Sequence, residues 1–240
     1  MSFNLRPIGQ GLCLLALVTS HLSLLAQDVG AGCGSLKNAF GPYDYRRDRY
    51  VPEGTYHSHA MLLKTVEDVH FTIETQMLRR RANSPGMSPG GDLDYTLRAF
   101  PNHHHALITL IALGELEKTG KPAGSRYSID CWFQRAVAWR PDDNIARMIY
   151  AQYLAKAGQL PAAEQQLNIA SSQAGDSAFT LNNLGLIYFD IKKYDQALAQ
   201  AHKAYALGFT NMNLRDRLKS VGKWVDAELA ASVVPAETAQ

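Results

Sequence analysis

Three consecutive histidines, His103-His104-His105, are the residues of this 240-residue chain with the most obvious capacity for chemistry. Imidazole ligates transition metals and exchanges protons near neutral pH. Their spacing argues against one shared ion. Neighbouring side chains on a helix diverge by ~100°, so three in a row cannot converge on one point. One of them could join His57, His59 or His70 in a metal site only if the N-terminal region folds back, and nothing in the spacing demands it. The plainer expectation is a helix start at which one imidazole packs and the other two face water.

Other reactive patterns are sparse. The sequence has no Cys-x-x-Cys-His, no His-Glu-x-x-His and no glycine-rich phosphate loop. Gly90-Gly91 reads as the end of a loop. Asp92 and Asp94 could pose as paired acids, but an N-cap and a first-turn carboxylate are structural roles that suit them. We therefore expect neither catalysis nor a cofactor. With 24 basic and 22 acidic residues the net charge is +2, which gives no electrostatic footprint for nucleic acid. Hydrophobic residues make up 46%, enough for a packed core.

The elements that would position these residues are helical. Leu62, Leu63, Val66, Val69 and Ile73 keep a helical face between His57 and Arg81, with Thr72 a candidate N-cap and a helix expected over Thr72–Arg81. Asn83 to Gly91 is expected to be loop. Asp92 then caps a short helix that Pro101 stops. Asn102 to Lys118 is a longer helix, and Phe133, Ala136 and Val137 mark another that ends at Pro141. Asn213 to Ser220 presents Leu214 and Leu218 on one face and charge on the other, with Trp224 folding back after it. The glycines and prolines of 27–56 leave that stretch irregular.

A 34-residue register organises the C-terminal half. Tyr150, Ala151, Leu154, Gly158, Leu160, Ala163, Leu167 and Ala170 recur, with no insertion, as Leu184, Gly185, Tyr188, Lys192, Tyr194, Ala197, Ala201 and Ala204. Pro141, Gly175 and Phe209 keep the same period, and an insertion of about six residues at Thr119–Ser128 brings the preceding unit into step. The phrase Asn182-Asn183-Leu184-Gly185-Leu186-Ile187-Tyr188, with Tyr194, Ala197 and Ala204, resembles the tetratricopeptide repeat family, whose members are helix–turn–helix arrays that bind other proteins. The resemblance covers roughly 92–220. It implies an all-α, helical-hairpin solenoid of about three repeats, with 92–100 as a capping half-repeat, 27–91 as an irregular N-terminal extension and 213–220 as a C-terminal capping helix.

The same resemblance implies where a partner would sit. In that family the first helix of each repeat lines a concave groove. The matching positions here are His105, Ile108, Ala112, Met148, Gln152, Lys156, Phe179, Asn182, Asn183, Leu186 and Asp190. Some members clamp a peptide carboxylate with cations and asparagines in these slots. This chain matches at Asn183 but has Asn182 where a cation would help. The expected activity is that of a non-catalytic scaffold for another protein or peptide, with histidine-based metal handling as the alternative. The N-terminal extension of the same chain is a second candidate occupant of the groove.

The segment 1–26 reads as an export signal: Arg6, then the apolar run Gly11–Ala26, interrupted by Thr19, Ser20, His21 and Ser23. That run is shorter than the ~20 residues a membrane span wants, so the expectation is cleavage after Ala26 and a periplasmic or secreted protein without a transmembrane span. Removal of Cys13 leaves Cys33 and Cys131, and two thiols in an oxidising compartment point to one disulfide. In the repeat frame Cys131 falls just before the core slot Phe133 and so points away from the groove, where a segment carrying Cys33 could cross the outer face. The alternatives are two free thiols, or a lipidated Cys33 after Gly30-Ala31-Gly32. Residues 221–240 are expected to be tail.

Overall fold

The computed structural model describes residue 29 and residues 32–46, 59–79 and 88–226, and all its regular elements among these residues are helices. They are α1 (His59–His70), α2 (Ile73–Gln76), α3 (Pro89–Ala99), α4 (His104–Glu117), α5 (Ile129–Trp139), α6 (Asn144–Lys156), α7 (Leu160–Gln173), α8 (Ala178–Asp190), α9 (Tyr194–Ala206) and α10 (Asn213–Ser220). The export signal, the 83–87 loop and the tail from 227 onwards lie outside the described residues, as does His57. None of the described helices is long and apolar enough to cross a membrane.

Helices pair because each has only one apolar stripe to bury. α6 packs on α7 and α8 on α9 as antiparallel hairpins, while α4, α6 and α8 lie side by side in one layer. Side-chain caps fix the starts: Asp143 accepts from Ala146 N at 3.0 Å and Ser177 from Thr180 N at 3.3 Å, in equivalent slots of successive repeats. The hairpin turns repeat as well. Gly158 and Lys192 both take left-handed backbone (φ 76° and 63°), so the chain closes each first helix and starts the next.

The pairs share one core. Leu107, Leu110, Phe133, Ala151, Leu154, Ala163, Leu167, Leu184, Tyr188, Ala197 and Ala201 are all buried in a single cluster that Leu214 and Leu218 of α10 close at the far end. Leu184 and Ala197 are both 0% exposed. A Cβ on Gly185 would stand 2.4 Å from Leu214 Cδ2, so the α8–α10 approach depends on that glycine. Trp224 folds back as expected, its ring 5.0 Å from His202 and 6.0 Å from Tyr205.

The N-terminal stretch 32–46 is a strap across the outer side of α3 and α5. The sulfur atoms of Cys33 and Cys131 are at disulfide distance, 1.99 Å. Next to them Arg135, buried between the Tyr127 and Trp132 rings, donates from Nη1 to the carbonyls of Cys33 (2.9 Å), Gly34 (3.2 Å) and Ser35 (2.9 Å). Further along, Tyr43 N donates to Ala99 O at 2.8 Å and Trp139 Nε1 to Tyr43 O at 3.2 Å. The described part of the extension thus lies against α3 and α5 and, at Tyr45 and Arg46, meets the starts of α4 and α6, without running along α6 or α8.

Two expectations about helix bounds are corrected. The helix expected over Thr72–Arg81 is a single turn, Ile73–Gln76, because the buried face belongs upstream to Leu63 and Val66 of α1; Ile73 and Met77 are exposed. Thr72 precedes that turn but its side chain makes no capping bond. Asp92 is not an N-cap either. Ser88 caps α3 through Gly91 N (3.3 Å), with Pro89 in the first turn, so Gly90-Gly91 are helical rather than loop. A Cβ on Gly90 would lie 2.1 Å from the Ala123 carbonyl oxygen, a backbone atom with little room to yield. Gly90→Ala is expected to cost about 1–3 kcal/mol, read as a lowered urea midpoint with unchanged helicity in buffer.

Candidate functional site

The histidines go to three separate places. His103 is fully buried and caps α4: its Nδ1 accepts from Ala106 N at 3.1 Å, which leaves the ring proton on Nε2, 3.1 Å from Glu67 Oε1. His104, also buried, sets Nε2 against both oxygens of Asp143 at 3.0 and 2.9 Å. His105 is exposed. Two imidazoles are packed, therefore, where one was expected, because each meets a carboxylate from a distant element. His70 is likewise held by Asp92, with Nδ1 to Oδ1 at 3.0 Å, and stacks on Tyr95. Among the described residues no group of three or more His, Cys, Asp and Glu is placed to hold a metal ion.

This network joins the N-terminal elements to the helical pairs. Asn102 donates to Asp44 Oδ1 and Asp143 Oδ2, each at 2.8 Å, and accepts from Tyr45 N at 3.1 Å. Arg46 and Arg140 pair with Asp44 at 3.0 Å each. Burial raises the Asp44 carboxyl, but the bonds from Arg46 and Asn102 outweigh it and hold the group down at about 2. Burial opposes ionisation of Asp143 too, and His104, Ala146 N–H and Asn102 bring it below the usual carboxylate range.

His103 behaves oppositely. Burial lowers its pKa below 6.5, only partly offset by Glu67, and His104 and His105 nearby oppose a further charge. Tyr45 stacks on one face of the ring and Phe71 meets its edge. A second proton would also occupy the nitrogen that caps α4. The unfolded chain takes up that proton at pH 6.5 and the folded chain only at lower pH, so stability is present above 6.5 and lost as pH falls below it. We expect this residue to contribute a slope approaching ~1.4 kcal/mol per pH unit. His103→Asn, which keeps a capping acceptor, should flatten that part of the stability profile between about pH 7 and 5.

The layer of first helices carries the expected binding positions. The repeat register, with the insertion allowed for, aligns His105, Ile145 and Phe179; Ile108, Met148 and Asn182; Ala112, Gln152 and Leu186; and Leu116, Lys156 and Asp190. Successive slots are one helical turn apart, so they share one helix face. Phe179 is 67% exposed, Ile108 50% and Ile145 46%. Gln152 and Lys156 are also exposed, and Asn183 and Leu186 half-buried. Met148 and Asn182 are buried instead, because their slot turns inward between adjacent first helices; on α4, the first of the row, the same slot leaves Ile108 open. Asn182 is a packing position by its burial, although its Oδ1 has no hydrogen-bond partner there.

Charges beside the apolar positions are cross-paired. Lys156 Nζ reaches Glu115 Oε1 at 2.8 Å, from α6 to α4, and Arg217 of α10 pairs with Asp190 of α8. Sequence reading missed Ile145, Glu115 and Arg217. The first was legible, since it holds the slot of Phe179 one repeat earlier; the other two depend on which helices end as neighbours. Where α4 and α6 end, Ile111, Ile129, Tyr153, Lys118 and Ala157 line a cleft of ≈ 500 Å³. The insertion supplies its Thr119–Gly120 wall: residues 118–128 separate α4 from α5, against 157–159 and 191–193 in the later pairs.

Compared with protein-family models, curated proteins and solved structures, the chain has no match.

Proposed function

We propose that this is an exported, non-catalytic interaction protein of the tetratricopeptide type, built as a short solenoid whose first-helix face holds another protein or peptide in the periplasm or cell envelope. The observation that carries this reading is the repeated exposure of Ile145 and Phe179 in one register slot on adjacent helices. A large apolar side chain left open twice at the same position costs solubility and is accounted for by an occupant. The paired thiols support an oxidising compartment, and so does the signal-like sequence of residues 1–26. The metal-handling alternative has no comparable support, since His103 and His104 are engaged by protein groups.

The test is capture from envelope extract with the full chain and with the double variant Ile145→Asp, Phe179→Asp. Both sites are solvent-facing, so the variant should fold with unchanged helicity and lose specifically captured protein. Equal capture by the two proteins, band for band, would reject the face as the binding surface.

A further inference from the structure

We propose that α1 is an acid-released latch: a second proton on His103 frees His59–His70 from α3 and α4, while the helical pairs stay folded. The device is independent of what the first-helix face holds.

Three histidine–carboxylate joints tie elements together in this part of the molecule. His70 of α1 meets Asp92 of α3, His103 at the start of α4 meets Glu67 of α1, and His104 of α4 meets Asp143 at the start of α6. They do not respond to acid alike. His70 and His104 each turn one nitrogen to a carboxylate, and the other nitrogen makes no hydrogen bond among the described residues. A second proton on either ring sets a positive charge against its acid and keeps the contact. His103 has both nitrogens in use. Nε2 points its proton at Glu67, and Nδ1 must stay bare to accept from Ala106 N. A proton taken up at Nδ1 sets two N–H groups against each other, so the ring cannot stay where it is and still cap α4.

The surroundings of the ring do not welcome that charge. Glu67 faces it from α1, Tyr45 covers one face from the strap, Phe71 meets its edge, and His104 and His105 stand beside it on α4. Glu67 alone favours the charged form, but its side chain is 38% exposed and screened by water. When the ring leaves, α1 loses its joint to α4.

What yields is local. α1 packs on α3 through Leu63 and Val66, in a small cluster with Tyr45, Ala99 and Phe100 that is separate from the core of the helical pairs. Its outer side, with Met61, Lys64, Asp68 and Val69, is exposed. At 12 residues α1 is too short to keep its helix once undocked, so release is local unfolding. The far end of the strap does not share this pH range: Asp44 is held at about 2, and Asp143 below the usual carboxylate range.

The test is hydrogen exchange of the full chain, read by mass spectrometry and corrected for intrinsic rates. Between about pH 7 and 5, protection of 59–70 should fall at least about tenfold while 144–206 stays protected. His103→Asn, which keeps a capping acceptor but cannot take the proton, should hold the protection of 59–70 at the lower pH. Unchanged protection of α1 in the unsubstituted chain, or loss in step with 144–206, would overturn the latch. The same acid loss in the His103→Asn chain would overturn it too. If that variant lacks α1 protection already at neutral pH, labelled histidine resonances of the unsubstituted chain decide. A His103 ring that titrates at the midpoint of α1 release supports the latch, and one that titrates elsewhere overturns it.

Discussion

Replacing Cys33 and Cys131 with serine is expected to lower the free energy of unfolding by about 4–5 kcal/mol, the chain-entropy value for closing a loop of roughly 100 residues; the two cysteines are 98 apart. The loss falls on the unfolded state. In the folded state the strap has other fastenings: three carbonyls on Arg135 at one end, and Asp44 and Arg46 among Asn102, Arg140 and Asp142 at the other. The variant should therefore retain its native spectrum in buffer while its urea midpoint falls, with a steeper slope as the unfolded ensemble expands. Two labelled thiols in the untreated native chain, or a midpoint that ignores the substitutions, would contradict the linkage.

Asp143→Ala should be nearly as damaging, at about 3–5 kcal/mol, because it removes one member of a buried, paired set. Its carboxylate caps α6 through Ala146 N, meets His104 with both oxygens and accepts from Asn102. Alanine leaves the imidazole and the amide buried without that partner. Asp143→Asn keeps a capping oxygen and should recover part of the loss. The pH dependence has a definite sign. The folded pKa values of Asp143 and Asp44 lie below the unfolded 3.8, so their contribution is present above that value and is lost as pH falls through the folded ones, about 2 for Asp44. This acid limb should be shallower in the Asp143→Asn chain.

The helical pairs were legible in the sequence because their signals are local and repeat. Asn144–Lys156 and Ala178–Asp190 start and stop one repeat apart, and the apolar slots Leu154, Leu167, Leu184 and Ala197 are core. The N-terminal half is where reading failed. Thr72 read as the start of a helix reaching Arg81, yet Phe71 turns inward, α1 ends at His70, whose ring is committed to Asp92, and only the turn Ile73–Gln76 follows. Asp92 resembled a cap because it precedes an apolar run. Its buried carboxylate serves α1 instead, and the helix begins at a serine–proline pair followed by two glycines. Gly90 is there for its clearance from Ala123, a contact between segments distant in sequence that no local pattern records.

The proposed binding positions divide on the same principle. Phe179 and Ile145 follow from register alone. Asn182 looked equally available, but its burial depends on the neighbouring first helix, and the partners of His103 and His104 are Glu67 and Asp143, 36 and 39 residues away. Sequence spacing tells which slots share a face; which slots remain open depends on what packs beside them.

Site-specific photocrosslinking tests the central claim most directly. A benzophenone side chain would be placed in the full chain at Phe179 or Ile145, on the first-helix face, and at exposed Lys203 of α9, on the opposite layer. Irradiation in envelope extract should give the same discrete adduct from Phe179 and Ile145 and none from Lys203. Adducts from Lys203 alone, or equally from all three positions, would contradict a binding surface formed by α4, α6 and α8.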